Sequence, residues 1–276
     1  MAEDASLARA LWSVHGWDAP TVSAAVVAPT GTLAMVGDGH HRFALASVTK
    51  LLLALASLVA VEEGTLDLDE PAGPPGATVR HLLAHTSGIG FDGGIVASPG
   101  ARRVYSNAGF DLLGEHLARM AEMTAADYVD AAVLKPLAMT ATDVHEGPLS
   151  SGATSSVADV ARLARELVAP TLIAPATLAA ATDVAFPGLD GVLPGFGTQR
   201  PNDWGLGFER RSHKKPHWTG TTNSPATFGH FGSAGTFLWV DPAIDRALVV
   251  LTDRPFGPWA AAAWPLLSDA IVNPST

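Results

Sequence analysis

The sequence predicts an α+β fold, an α/β sandwich: one antiparallel sheet built from both termini and flanked by helices, with a mainly helical lobe inserted in the middle. Strand-like runs lie at both ends, "VSAAVVAPTGTLAMVG" at 22–37, and "ATFGHFGSAGTFLWVDP" followed by "RALVVLTD" after residue 225. Between them, from about Thr78 to Pro170, the apolar spacing is mainly helical. With 276 residues, 47% apolar and 16% charged, the chain can bury a sizeable core as one large domain or two lobes sharing a cleft. The expected division is a sheet lobe of residues 1–65 and 195–276, a helical lobe of 66–194, and an active site in the cleft between them.

Taken in order, "MAEDASLARALWSVHGW" has neither a basic n-region nor a long apolar h-region. Its Leu7, Ala10, Leu11 and Val14 follow helical spacing and predict an amphipathic helix packed on the body. Residues 22–37 read as two strands joined by a Pro-Thr-Gly turn. "ALASVTKLLLALASLVA" (44–60) is apolar on every side of a helix, which marks a buried one, and Gly64 stands where a helix stop is expected. "TLDLDEPAGPPGATVR" then leaves one lobe for the other. Helices are predicted in "TVRHLLAHT", "NAGFDLLGEHLARMAEM", "TAADYVDAAVLKPLAM" and "SSVADVARLARELVA", the last opened by Ser156 with Asp159 as a capping box that has Asp in place of Glu. Glycines and prolines thicken from 187 to 207, and "WAAAAWPLLSDAIV" reads as a final helix.

A net charge of −10 argues against nucleic-acid or acidic-membrane partners. The longest basic stretch, "RRSHKK" (210–215), reads as a solvated loop. The absence of cysteine excludes disulfides, thiolate metal sites and cysteine nucleophiles. The apolar run after Ser47 ends at Glu62–Glu63, too short to insert across a membrane, so the chain as written reads as cytoplasmic. Nothing in it signals an oligomeric state.

One lysine, Lys50, stands inside that apolar run, one helical turn after Ser47. A serine becomes a nucleophile only when something takes its proton, and a desolvated lysine is a proton acceptor. At a helix start the serine's own N–H can also help hold an oxyanion. Alone, S-x-x-K is common, and a lysine snorkelling to the surface would explain it as well. Two more stretches add to it. "VYSNAGF" (104–110) places Tyr105, Ser106 and Asn107 on one turn, which by itself reads as a turn with an N-capping Asn. "GHFGSAG" (229–235) has glycines along a presumed strand, where a ligand can approach closely.

In this order the three stretches resemble the serine β-lactamase and penicillin-binding protein superfamily, closest to the branch of class C β-lactamases, DD-carboxypeptidases and related esterases. "HLLAHTSGI" (81–89), "PGARRVYSNAGFDLLGEHL" (99–117), "LKPLAMTAT" (134–142) and "WGLGF" (204–208) share the likeness, which covers roughly residues 20 to 272. The resemblance implies a β-lactamase/transpeptidase-like fold, no cofactor, and a small-molecule ester, amide or β-lactam substrate. By motif, Ser47 would be acylated and Lys50 would take its proton. Tyr105 would relay a proton to the leaving group and later help activate water. Asn107 would bind substrate and orient Lys50. His230, with Gly232 in the Lys/His-x-Gly motif, would tune the tyrosine, and the N–H groups of Ser47 and Ser233 would form the oxyanion hole. Phe231 departs from the pattern, which has Thr or Ser there to meet a substrate carboxylate; a phenyl group cannot make that bond. This favours uncharged esters or amides. No residue matches the class A deacylation glutamate.

Two alternatives stay open: a β-lactamase or DD-carboxypeptidase, and a binding or sensing protein that is acylated and stays so. His81 and His85 share a predicted helix face as in zinc sites, yet Leu82 stands where H-E-x-x-H needs Glu, so they read as structural. His40, His41 and His145 read as solvated loop residues. There is no G-x-S-x-G, P-loop or dinucleotide fingerprint. Of the tryptophans crowding the last third, most are expected in the core and one or two in an acyl pocket.

Overall fold

The structure, a computed structural model, describes residues 2–274. Helix α1 (Ala2–Trp12) leads into the hairpin β1 (Val22–Ala28) and β2 (Gly31–Val36), then β3 (Arg42–Ala44). A single 3-10 turn (Ala46–Val48) opens α2 (Thr49–Glu62), so Ser47 lies just ahead of the α-helix and not inside it. The helical stretch follows: α3 (Val79–Leu83), α4 (Asn107–Ala121) and α5 (Ala125–Val129). Next come β4 (Thr154–Ser156), α6 (Val157–Val168) and α7 (Pro175–Thr182), then the small hairpin β5 (Gly191–Leu193) and β6 (Gly197–Gln199). The chain closes with β7 (Glu209–Arg210), β8 (Phe228–Gly232), β9 (Thr236–Asp241), β10 (Arg246–Thr252) and α8 (Pro258–Val272).

Six strands form an antiparallel sheet in the order β2-β1-β10-β9-β8-β7, which joins both ends of the chain at the β1–β10 pair. Alternation of side chains gives it two dry faces. Ala24, Val26, Leu248, Val250 and Trp239 bury themselves with Leu7 and Leu11 of α1 and with Trp264 and Ile271 of α8. Ala25, Val27, Val249, Leu238 and Val240 face the opposite way, into the core that holds α2 and α6. That core explains the leucine-rich α2: Thr49 through Ala60 are all buried. Helix α6 lies in the segment expected to form the inserted lobe, but it packs against β1, β9 and β10. Among the described residues no helix is long and apolar enough to cross a membrane.

Several local expectations change. Ser156 caps α6 by accepting from Asp159 N, but the Asp159 carboxylate accepts from Ala141 N and Thr142 Oγ1, so the reciprocal half of the capping box is missing. The full box occurs at α3, between Thr78 and His81. The segment "RRSHKK" is not a solvated loop. Arg211 donates to the carbonyls of Gly220 and Thr221, and Lys214 is buried against Glu209. The β5–β6 hairpin forms within the stretch where glycines and prolines thicken, and α7 forms in a segment for which the sequence predicts no element.

Candidate active site

Ser47 sits where the chain turns from β3 into α2, directly after Ala46, whose φ of 46° is unusual for a residue with a side chain. Behind this turn run the end of β8 and the start of β9. Thr236 Oγ1 donates to Leu45 O at 2.8 Å. A Cβ on Gly232 would stand 2.4 Å from Leu45 O and 3.0 Å from Ala46 Cβ. Gly232 therefore lets the serine turn lie on the strand; it does not border the cavity.

Lys50, in the first turn of α2, is fully buried. Its Nζ donates to Asn107 Oδ1 at 2.6 Å and to the Ser150 carbonyl at 2.7 Å, and lies 3.4 Å from Ser47 Oγ. Desolvation by burial lowers its pKa from 10.5 to about 7, against the opposing charge of Asp111. Asn107 can reach the lysine because it is not the cap of α4. Ser106 is, accepting from Gly109 N at 2.8 Å.

Tyr105 approaches from the other side, its hydroxyl donating to Ser47 Oγ at 2.7 Å. Its ring packs against His85, Phe91, Trp204 and His230, and burial pushes the phenol pKa up, keeping it protonated. His230 Nδ1 donates to Phe231 O at 2.7 Å, which leaves Nε2 as an acceptor. Burial, followed by the charge of Lys50, drives its pKa to about 3, so the ring is neutral. A lysine at this motif position would bring a positive charge; this histidine does not.

The serine opens into a cavity of about 240 Å³. Ser47, Tyr105, Asn107, Ser151, Glu209, His230 and Ser233 form its polar side. Phe91, Leu193, Pro194, Trp204, Phe231 and Phe256 form its apolar side, with no lysine or arginine among the lining residues. His230 and Phe231 point to opposite faces of β8, yet both reach this space without a bulge, since the β8–β9 register runs unbroken from Phe228 to Gly232. The reason is the short β7. On β8 it reaches only Phe228 and Gly229, so the edge of that strand is open from His230 onward and the cavity wraps around it.

Two features were not legible as part of the site. His85 lies beyond the end of α3 with φ 55°, off the face of His81, and accepts from Ser106 N at 3.2 Å while its ring packs tilted against Tyr105 and edge-on to Trp204. Its only sequence signal is its place in "HLLAHTSGI". At the cavity wall, Glu209 is buried with Lys214, His217 and Trp218 Nε1 as donors to its carboxylate. Burial alone would raise this carboxyl, but His217 and Lys214 outweigh it and hold the pKa well below the usual range. Among the described residues no group of three or more His, Asp or Glu side chains is placed to hold a metal ion. Of the tryptophans, Trp204 lines the cavity while Trp218, Trp239 and Trp264 are core.

A family model described as beta-lactamase matches residues 14–271. The crystal structure of a β-lactamase from Mycobacterium bovis is 55% identical with a TM-score of 0.93, over 95% of this chain and 98% of that one. A D-stereospecific amidohydrolase from Streptomyces is 19% identical with a TM-score of 0.74, over 99% of each chain, a likeness of fold alone. Penicillin-binding protein 4* of Bacillus subtilis (strain 168) is 28% identical over 142 residues, 39% of this chain; the match spans only 32% of that relative's length.

Proposed function

This chain belongs to the beta-lactamase family, and from that premise we propose that it hydrolyses uncharged esters or small amides through an acyl-enzyme on Ser47. One observation carries the reading: Ser47 Oγ lies between a buried lysine with a pKa of about 7 and a protonated tyrosine. When neutral, Lys50 keeps two N–H bonds, to Asn107 Oδ1 and Ser150 O, and its lone pair is free for Ser47. Ser47 Oγ attacks the carbonyl carbon as its proton passes to Lys50. The N–H groups of Ser47 and Ser233 hold the oxyanion. The bond to the leaving alkoxide or amine then breaks, and that group leaves protonated through the Tyr105 hydroxyl, which recovers its proton from Lys50. Water attacks the acyl-enzyme with Tyr105 and Lys50 taking its proton, the C–Oγ bond breaks, and Ser47 regains its hydrogen.

The preference for uncharged substrates rests on the lining: Phe231 in place of a hydroxyl residue, a neutral His230, and no cationic side chain. A second reading, β-lactam turnover, is favoured by the 55% identical relative from Mycobacterium bovis. Incubation with a fluorophosphonate followed by intact-mass spectrometry is expected to show one adduct, on the Ser47 peptide. Labelling that persists in Ser47→Ala would sink the assignment. p-Nitrophenyl esters tested beside a chromogenic cephalosporin separate the two readings. No step needs a metal, and activity is expected to survive EDTA; reversible loss restored by zinc would overturn that.

A further inference from the structure

The β5–β6 hairpin is short, exposed at Val192, and tied down at both ends. Gly191 lies against Arg103, where a Cβ would stand 2.6 Å from the Arg103 carbonyl, and Gln199 Nε2 donates to Phe196 O and Pro216 O at 3.2 Å. The turn closes through Phe196 N to Leu193 O at 2.9 Å. Phe196 is thereby driven into an aromatic cluster, 5.8 Å from both Phe231 and Phe256, which are themselves 5.1 Å apart. The tip residues Leu193, Pro194 and Gly195 are left over the cavity. Gly195, at φ 77°, sits directly on Phe256: an added Cβ would lie 2.5 Å from its Cε1. The roof is thus preorganised by packing, and the surface it offers is apolar.

We propose that this hairpin tip, with Phe231 and Phe256, is the specificity-determining roof that measures one apolar arm of the substrate. The proposal rests on the acyl-serine reading above and deepens it. A cavity of about 150 Å³ accepts benzene, so a 240 Å³ cavity takes an aryl ring or an alkyl chain of about six to eight carbons. Each methylene buried there raises the rate of acylation about fourfold until the wall is filled. The substrates are therefore esters or amides with a medium-length alkyl or aryl arm. Leu193, fully buried at the tip, sets where the gain stops.

The test uses two series of alkyl fluorophosphonates, one lengthened on phosphorus and one on the alkoxy oxygen, and reads the second-order rate of Ser47 labelling. In the wild type, one series is expected to rise to an optimum near six to eight carbons and then fall, and the series that does so identifies the arm. Leu193→Ala opens room for about three carbons and should move that optimum two to three carbons longer, with at least a tenfold gain for the longest reagents relative to the methyl reagent. Phe256→Ala provides a second enlarged roof should Leu193→Ala fold poorly, and Val192→Ala, on the same hairpin but facing solvent, should leave the profile unchanged. Profiles in both series that coincide in wild type, Leu193→Ala and Phe256→Ala would overturn the roof. Absence of labelling at Ser47 for every length would instead overturn the acyl-serine reading, and the roof with it.

Discussion

The hydroxyl of Tyr105 donates to Oγ of Ser47 at 2.7 Å, from a residue 58 positions further along the chain. Lys50 stands on the other side of the same oxygen at 3.4 Å. Burial acts on both partners in opposite senses, lowering the lysine to about 7 and raising the tyrosine. In each case the neutral form is favoured, which makes the lysine a base and the phenol an acid at one pH.

The first consequence is a pH profile. The lysine must be unprotonated to act, so kcat/KM should rise with pH along an acid limb with an apparent pKa near 7. Asp111 raises the lysine pKa through its charge, so Asp111→Asn should move the limb to lower pH. A rate that is flat between about pH 6 and 8 would mean that another group is the base.

Lys50→Ala and Tyr105→Phe should each lower kcat by roughly 10²–10⁴. Because both act on one proton path, the double variant should be little worse than either. Steady-state kinetics on the four proteins decides it, and a fully multiplicative loss would assign two independent roles.

Phe231 borders the cavity although its ring belongs to the aromatic cluster on the far face of the sheet. Phe231→Thr should add one charge-assisted hydrogen bond to a substrate carboxylate, worth roughly 1.5–3 kcal/mol if well placed. That corresponds to about a ten- to hundredfold gain in kcat/KM for cephalosporins relative to neutral esters, compared at matched stability. An unchanged ratio would show that this position does not meet the carboxylate.

Acid should destabilise the protein through its buried histidines. Folded His230 has a pKa of about 3 against 6.5 for a free side chain, and burial lowers His85 as well. Between those two values the unfolded chain binds more protons at these sites, so the stability present above pH 6.5 is lost as pH falls toward 3. Urea midpoints should drop from about pH 7 to about pH 4.5, and the slope should be shallower in His230→Gln.

The buried Glu209–Lys214 pair makes a final prediction. Lys214→Met leaves the carboxylate with His217 and Trp218 alone, and denaturant unfolding should report a loss of about 3–5 kcal/mol. Glu209→Met combined with Lys214→Met should recover most of that loss, since no unpaired charge is left behind. A double variant no more stable than the single would mean that the buried N–H groups of His217 and Trp218, left without their acceptor, cost as much as the unpaired charge.

What the sequence determined by itself was local. The turn-bounded apolar runs in 22–37 and 226–253, the all-round apolar α2, and the one-turn spacing of Ser47 and Lys50 are properties of neighbouring residues, and they read directly as structure. Helix α7 escaped because "PATLAAAT" has no apolar stripe to announce it, and β7 because two residues carry no period. The segment "RRSHKK" misled because its partners, Glu209 and the carbonyls of Gly220 and Thr221, do not show in the hexamer itself. Tertiary structure alone decided that a short β7 leaves the edge of β8 open, that His85 and Trp204 back Tyr105, and that the β5–β6 hairpin roofs the cavity. It also decided the protonation of the site, for the pKa of Lys50, Tyr105 and His230 follows from water excluded by residues far away in the chain, and desolvation has no sequence period to read.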